Sequence, residues 1–369
     1  MRAQSIVITG LGSVSPLGVV QGHVEPRAVH PRPITRWPTP GLRRAYQVDP
    51  FRPEDVVKGL RTRRLDRLSV WCLVAAALAM RDADLNLESA DRSRIAVVCG
   101  TGFGCLELTE ACLKSIDENA CGKSDPILFP ETLSNAPGSH VARTYGLRGP
   151  NVTVSAKGTS GECALAAAQS LLDGEEADAA IVISGDALAR SAYEWCEAAR
   201  CLSSACFEEK PAMPPFSAGC DGFVPGEGVG AVVLESGRRF LGPKANAYAY
   251  LSSVILGRDT TATSTSWGKD PQAFVKVAAR AIGDSDPPAL LLASANGSPS
   301  LDLMEAEAIR SLKYDPESVF AAKAFLGEFD GNAILRMVLT LSHPAPMGGV
   351  ILLGSAAGGD RAAVTLETA

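Results

Sequence analysis

The sequence predicts an α/β protein with a largely parallel, buried sheet and two similar halves. Short apolar runs, typical of buried strands, alternate along the chain with longer helical patterns, which is the order that parallel sheets require. This alternation occurs twice, and the interval between the two sets falls near residues 236–246. A length of 369 residues also favours two domains or one large two-part core. We therefore divide the chain into residues 1–236 and residues 237–369.

Each predicted strand is a short apolar run bounded by glycine, proline or polar residues, and each predicted helix is a longer run with helical spacing. In the first half the strands are Ser5–Thr9, Arg94–Cys99, Val152–Ser155, Asp178–Ser184 and Gly230–Glu235, and the helices are Leu65–Ala83, Glu107–Ile116 and Gly161–Leu172. In the second half the strands are Ala247–Leu256, Ala289–Ala293, Ser318–Ala322, Val350–Gly354 and Ala362–Leu366, and the helices are Pro271–Ile282, Asp302–Leu312 and Asn332–Leu341.

Residues 20–53 interrupt this pattern with a high density of proline. A long helix is excluded there, because proline lacks the amide donor and clashes with the preceding turn. Two interpretations stay open: an extended connector that crosses the surface, or a locally disordered segment. The prolines are Pro26, Pro31, Pro33, Pro38, Pro40, Pro50 and Pro53.

Composition and charge exclude several classes of protein. With 46% hydrophobic and 21% charged residues, the chain is neither disordered nor fibrous. A net charge of -6 leaves no excess of cations to neutralise phosphates, so we expect no nucleic-acid partner. The apolar run from Leu68 to Met80 is too short to span a bilayer. Ten cysteines are too sparse for a disulfide scaffold and favour a reducing cytoplasm.

Two motifs suggest cofactors or metals but lack the residues those groups need. Gly100, Gly102 and Gly104 follow a strand, but Cys105 stands where a dinucleotide fingerprint needs its third glycine, so a structural turn is favoured. A cysteine cluster lies further on, without a Cys-x-x-Cys pair or a histidine, so free buried thiols are favoured over zinc. We therefore expect neither cofactor nor metal. The clustered cysteines are Cys196, Cys201, Cys206 and Cys220.

A series of motifs runs in one order along nearly the whole chain, from residue 5 to residue 366. They are Ile6–Gly12 with Val14–Gly18, Arg64–Arg67, Gly146–Pro150, Asp221–Gly228, Lys323 before Gly327, and Gly358-Gly359. This series resembles the β-ketoacyl synthases. The resemblance implies the thiolase fold, in which two similar halves form a five-layered α-β-α-β-α core.

The family's chemistry uses a cysteine at a strand-to-helix elbow and two histidines that stabilise the developing oxyanion. By the resemblance, Gly158 occupies the position of the cysteine, Asn296 that of the first histidine and Glu328 that of the second. Lys323 of the second histidine motif is retained. A glycine cannot form an acyl-enzyme, and an ionised glutamate would repel an oxyanion. The resemblance therefore implies no ketosynthase activity for the chain alone.

Two neighbours of the elbow could substitute for the missing nucleophile. Cys163 lies five residues further on, in an alanine-rich stretch, and packing in that helix is the favoured interpretation. Lys157 precedes Gly158. A desolvated lysine can act as a nucleophile or a base, but a solvated or paired lysine is favoured.

Among the β-ketoacyl synthases, the chain most resembles the chain-length factors, or β subunits, of type II polyketide synthases. That group implies a heterodimer with an active ketosynthase α subunit, contact with an acyl carrier protein through the complex, and a role in shaping the polyketide tunnel. We expect the edge strand at residues 151–155 to lie at the interface. The expected tunnel wall consists of Phe103, Cys105, Ile127, Leu128 and Phe129.

One departure and two rival functions accompany this interpretation. Chain-length factors that make aromatic polyketides usually carry glutamine at the cysteine position, where this chain has Gly158. The first rival is an acyltransferase or decarboxylase that uses Lys157, Asn296 or Glu328 in a new role. The second is a homodimeric scaffold that holds an acyl carrier protein without chemistry.

Overall fold

The structure is a computed structural model that describes residues 5–118, 128–237, 247–341 and 348–368. Strands β1 to β13 are Ile6–Ser15, Gly18–Gln21, Arg32–Pro33, Arg44–Ala45, Ile95–Gly100, Asn151–Val154, Ala179–Asp186, Gly228–Ser236, Ala249–Arg258, Leu290–Leu292, Val319–Phe320, Val350–Ser355 and Asp360–Thr368. Helices α1 to α10 are Pro53–Val56, Arg67–Asp82, Leu106–Glu118, Ala136–Tyr145, Ser160–Asp173, Arg190–Ala198, Gln272–Ile282, Pro299–Ser311, Lys323–Leu326 and Ala333–Val338.

Within these residues one long sheet contains two sets of strands with the same order. The order along the sheet is β11-β10-β12-β13-β9-β1-β8-β7-β5-β6. The first set is β1, β5, β6, β7 and β8, and the second is β9, β10, β11, β12 and β13. In each set the second strand pairs in parallel with the third and the fourth, and the fifth lies antiparallel between the fourth and the first. The two first strands, β1 and β9, pair antiparallel and join the sets. The repeat seen in the sequence is therefore a repeat of topology.

Three apolar clusters show that the elements stack in layers. Helices α5 and α10 pack between strands of both halves in a central core whose helical members include Ala164, Leu165 and Ile334. Helix α2 covers the outer face of the first set, and helices α7 and α8 cover that of the second. Burying apolar side chains on both faces of a sheet is what a continuous apolar strand pattern requires. The result is an α-β-α-β-α stack.

The strands and main helices predicted from the sequence are all present, with ends shifted by a few residues. Four helices of the described residues were not predicted. Helices α1 and α9 have only four residues each and α6 has only nine, and Pro137 and Gly138 in the first turn of α4 hide its periodicity. Residues 20–53 contain no long helix and run extended, with the β3–β4 pair as their regular part. The extended connector therefore stays our interpretation of this segment.

Two expectations from the sequence concern membrane spans and the division of the chain into halves. No helix within them is long and apolar enough to cross a membrane. The division at residues 236 and 237 stays a prediction, since β8 ends at Ser236 and the segment 238–246 lies outside the described ranges.

Candidate functional site

A cavity of about 540 Å³ opens where loops of the two halves meet. The first half contributes the ends of β5 and β7, helix α6 and the elbow before α5, and the second half contributes the loops around residues 264–267, 328–330 and 357. Its chemically relevant lining residues are Phe103, Lys157, Asp186, Trp195, Cys196, Cys201, Trp267, Glu328 and Asp330.

Gly158 lies buried at the elbow between β6 and α5, in a single 3-10 turn over Lys157–Thr159. A Cβ atom built on Gly158 would lie 2.4 Å from the carbonyl oxygen of Ser355 and 3.3 Å from Cα of Ala356. Both neighbours are backbone atoms of β12 and its continuation, so neither can rotate away as a side chain would. The elbow thus has no room for a side chain at this position.

Lys157, one residue earlier, adopts a positive φ of 51° and points its exposed side chain across the cavity mouth. Its ammonium donates hydrogen bonds to the carbonyl oxygens of Ser264, at 3.0 Å, and Ala357, at 3.1 Å. The lysine therefore links the elbow to two loops of the second half. This geometry matches the paired lysine that the sequence favours.

Glu328 is the centre of a buried polar network that brings three of the expected site residues together. Its Oε2 accepts from Nδ2 of Asn296 at 2.7 Å and from Nζ of Lys323 at 2.7 Å. Oε1 accepts a longer bond, 3.4 Å, from Asn332. The side chains of Lys323 and Glu328 are only 3% and 8% exposed. Their mutual attraction and the additional hydrogen bonds offset the cost of removing both groups from water.

Asn296 is fixed by the loop that carries it. Its backbone N–H and that of Gly297 donate to Oδ1 of Asp302, at 3.0 and 3.1 Å. Its own side-chain oxygen accepts from the backbone N–H of Ser298 at 2.9 Å. The amide group is therefore oriented with one N–H aimed at Glu328. The Asn296 amide is therefore already engaged by Glu328, and Glu328 itself offers a carboxylate, which accepts hydrogen bonds but does not donate them.

Two carboxyl groups of the cavity, Asp186 and Asp330, were not found from the sequence. Asp186 accepts from the Thr101 hydroxyl at 2.5 Å and from two backbone N–H groups of the following loop. Burial, together with the nearby Asp330, raises the pKa of Asp186 to about 8. Burial and the charge of Glu328 raise the pKa of Asp330 to about 7. The available signal was the position of Asp186 at the end of β7, where sites of α/β proteins cluster.

The expected tunnel wall is only partly at the surface. Phe103 and Phe129 are 47% and 56% exposed, and Leu128 is half-buried. Cys105 has no exposed area, and its thiol lies 3.7 Å from the Ser69 hydroxyl on α2. Placing Cys105 on the wall was therefore wrong, because Gly104, with φ 65°, turns the chain inward after Phe103. Ile127, the remaining residue of the expected tunnel wall, lies outside the described residues.

Two further expectations concern the edge strand and metals. Strand β6 is the last strand at its end of the sheet, pairs with β5, and has Asn151 exposed. No group of three or more metal-ligating side chains occurs in the part of the chain that the structure describes.

Comparison of sequences identifies relatives of this chain. Residues 3–239 match the sequence model of the family described as beta-ketoacyl synthase, N-terminal domain. The 3-oxoacyl-(acyl-carrier-protein) synthase 2 of Staphylococcus aureus (strain COL) is 29% identical over 279 residues, which are 69% of this chain and 62% of the relative. The chloroplastic 3-oxoacyl-(acyl-carrier-protein) synthase I of Arabidopsis thaliana is 30% identical over 247 residues, 63% of this chain and 51% of the relative. The aligned chain thus spans less than two thirds of either.

Comparison of structures covers the chain almost completely. A structure titled the ishigamide ketosynthase/chain length factor superposes with a TM-score of 0.85 at 22% identity, over 99% of both chains. A type II polyketide synthase acyl-carrier protein in complex with its ketosynthase gives 0.79 at 21%, over 99% of both chains. A beta-ketoacyl synthase from Burkholderia phymatum STM815 gives 0.80 at 18%, over 99% of this chain and 100% of the other. These matches confirm the thiolase-like fold expected from the sequence.

Proposed function

The chain belongs to the β-ketoacyl synthase family, and we propose that it is a non-elongating subunit of the chain-length-factor type. In this proposal it pairs in the cytoplasm with an active ketosynthase and shapes that partner's polyketide tunnel. The single observation that carries the proposal is the elbow. Gly158 lacks a nucleophile, and the carbonyl of Ser355, 2.4 Å from any added Cβ, leaves no space for one.

The buried network around Glu328 supports the same conclusion. Decarboxylative condensation develops negative charge on an oxygen, which donors must stabilise. Glu328 instead offers a carboxylate that already accepts from Asn296 and Lys323. An oxyanion that developed next to Glu328 would face a carboxylate acceptor, and the nearby Asn296 donor is already bonded to Glu328. Elongation by this chain's own site is therefore disfavoured twice, at the nucleophile and at the oxyanion.

The surface beside the elbow supports a protein partner. Strand β6 ends the sheet, and an open edge strand offers unpaired backbone groups to a neighbouring chain. Phe103, in the loop after β5, and Phe129 and Leu133, in the segment before α4, expose 47%, 56% and 47% of their surface. Large exposed apolar side chains are typical of an interface when they are contiguous. We propose that an active ketosynthase covers them.

Contact with an acyl carrier protein is part of the proposal. One of the similar structures holds a type II polyketide synthase acyl-carrier protein with its ketosynthase. In this chain the loop before α2 exposes Arg61, Arg63 and Arg64, none of which forms a salt bridge within the described residues. Such a basic loop favours an acidic partner surface and faster association with it.

The rival enzyme functions have less support. Lys157 donates to two carbonyl oxygens of the second half, so its side chain is engaged in linking loops rather than free to attack a substrate. Glu328 is held by Lys323 and Asn296 rather than aimed at open space. The second rival, a homodimeric scaffold without a ketosynthase partner, is distinguished from our proposal by the co-expression experiment described below.

Intact-protein mass spectrometry tests the absence of acylation. The purified chain is incubated with acyl thioester and malonyl-loaded acyl carrier protein, beside an active ketosynthase as the positive control. We expect an unchanged mass for the chain and an acyl adduct on the control. A stoichiometric adduct on Lys157 or Cys163 would support the enzyme alternative and overturn the proposal.

Co-expression tests the partnership. The chain is produced with and without a type II ketosynthase from the same genome, and the mass of the purified species is measured. We expect a one-to-one complex. A chain that remains a stable homodimer in the presence of every such ketosynthase supports the scaffold function instead.

A further inference from the structure

Helix α6 ends in a tight turn that places two cysteines side by side. Arg200 has a positive φ of 55°, its N–H donates to Glu197, and the N–H of Cys201 donates to the carbonyl of Cys196 at 3.2 Å. These two bonds define a Schellman motif, in which the third residue from the helix end and the second residue beyond its cap contact each other. Those two positions usually hold apolar residues. Here they are Cys196 and Cys201.

The Cys201 thiol contacts the backbone of Cys196 directly. The Cys201 thiol donates to the carbonyl oxygen of Cys196 at 3.1 Å. A hydrogen bond from the Cys196 thiol lowers the pKa of Cys201, and the same bond raises the pKa of Cys196. Cys201 is thus the thiol that ionises more easily, and thiolate character is what makes a cysteine reactive.

Both thiols can be reached from solvent. Cys196 and Cys201 are half-buried and line the wall of the open cavity. Two other half-buried cysteines, Cys163 and Cys220, provide a comparison, because burial raises the pKa of each. Accessibility, proximity and an activated member therefore coincide at the α6 turn.

We propose that Cys196 and Cys201 form a reversible disulfide by exchange with a low-molecular-weight disulfide. The Cys201 thiolate attacks one sulfur of the reagent, forms a mixed disulfide and releases the first thiolate. Cys196 then loses its proton and attacks the sulfur of Cys201, which releases the second thiolate. The protein loses two hydrogens, and one reagent disulfide becomes two thiols.

The turn favours the geometry of this bond. A disulfide requires the two Cα atoms to lie within about 4.4–6.8 Å, and the Cys196 carbonyl accepts from both the backbone N–H of Cys201, at 3.2 Å, and its thiol, at 3.1 Å, which brings the two residues side by side. The product would lock the end of α6 on the cavity wall. The inference does not depend on the proposed function, since it uses no partner and no acyl group.

Mass spectrometry of the full chain treated with glutathione disulfide tests the inference. We expect the loss of two hydrogen masses, reversed by dithiothreitol, at concentrations that leave Cys163 and Cys220 unmodified. Trypsin cleaves after Arg200, so the two cysteines leave in different peptides that only a disulfide joins. Because Pro211 follows Lys210, trypsin leaves Cys201, Cys206 and Cys220 in one peptide. Fragmentation of the joined peptides must therefore place the bond on Cys201 rather than on Cys206 or Cys220.

Two variants make the result decisive. Cys196→Ser should trap one glutathione on Cys201, because the resolving thiol is gone, and Cys201→Ser should remain largely unmodified. Cys163→Ser should behave as the wild type. The proposal is overturned if the wild type keeps a stable glutathione adduct without a cross-link, or if Cys163 or Cys220 reacts first. Circular dichroism establishes that each variant is folded.

Discussion

Replacing Gly158 with cysteine should destabilise the protein and create no acyl-enzyme. The added Cβ would lie 2.4 Å from the Ser355 carbonyl oxygen, well inside the separation that two such atoms tolerate. Relief requires a shift of β12 or of the elbow, because the neighbours are backbone atoms. Overpacking of this kind typically costs about 1–3 kcal/mol. We expect Gly158→Ala and Gly158→Cys to lose stability in that range.

The measurement is unfolding in urea, with Gly219→Ala as the matched control. Gly219 also lies outside the positive-φ region, and a Cβ there would only touch the flexible side chain of Met213, at 3.4 Å or more. The control should therefore change stability by much less. A Gly158→Ala variant as stable as Gly219→Ala would show that the elbow has room for a side chain.

The chemical part of the same prediction uses acylation and elongation assays on Gly158→Cys. Each missing oxyanion donor typically lowers the rate by about 10²–10³-fold, and Glu328 supplies an acceptor instead. We expect neither an acyl adduct nor elongation of malonyl units. Elongation at ketosynthase-like rates would refute both the packing argument and the assignment of Asn296 and Glu328.

Three further predictions concern the site and the interface. Lys323→Met should cost on the order of 3–5 kcal/mol in urea, because it leaves a buried carboxylate without its cation, and adding Glu328→Met should recover part of that loss. The pKa of Asp330 is raised from 3.8 to about 7, so the folded state keeps a proton that the unfolded state loses. Stability of the wild type relative to Asp330→Asn should therefore fall as pH rises from about 4 to 7 and level off above it; an unchanged difference would contradict the shift. Leu128→Trp should shorten the polyketide made by a reconstituted complex without abolishing synthesis, and Phe129→Ala should weaken assembly; unchanged product lengths in an intact complex would remove the chain-length role.

The sequence predicts the fold of this chain well because its central strands, such as β1, β5, β7 and β12, are buried on both faces. Such strands appear as uninterrupted apolar runs, for example Val350–Ser355, and the runs recur in the same order in both halves. The helix that was missed at Ala136–Tyr145 begins with proline and glycine. These residues are common at the first turn of a helix, but they also mark loops, and only tertiary packing decides between the two.

The family resemblance assigns positions to the site, but it cannot supply their interactions. Motif order assigns Gly158, Asn296 and Glu328, and this assignment stays a prediction. A one-dimensional pattern cannot show that Glu328 accepts from Asn296 or that Ser355 blocks the elbow. Cys105 shows the opposite limit. Cys105 is only two residues from the exposed Phe103 in sequence. The left-handed turn at Gly104 lies between them, and Cys105 is buried while Phe103 is exposed.

In our proposal Gly158, Asn296 and Glu328 occupy the positions of the family's cysteine and two histidines. Each of them contacts neighbours that fit the present residue, so we expect that reverting one of them alone would not recreate a reaction centre. Lys323 is buried and pairs with Glu328, and Glu328→His would leave that ammonium without its carboxylate. Asn296 is held by Asp302 in an orientation that serves Glu328. The carbonyl of Ser355 packs where a side chain on residue 158 would lie. In the proposed non-elongating arrangement, Glu328→His would leave the buried ammonium of Lys323 without its carboxylate, and Gly158→Cys would clash with the backbone of β12. On this proposal, a return to elongation requires coordinated changes at all three positions and in β12.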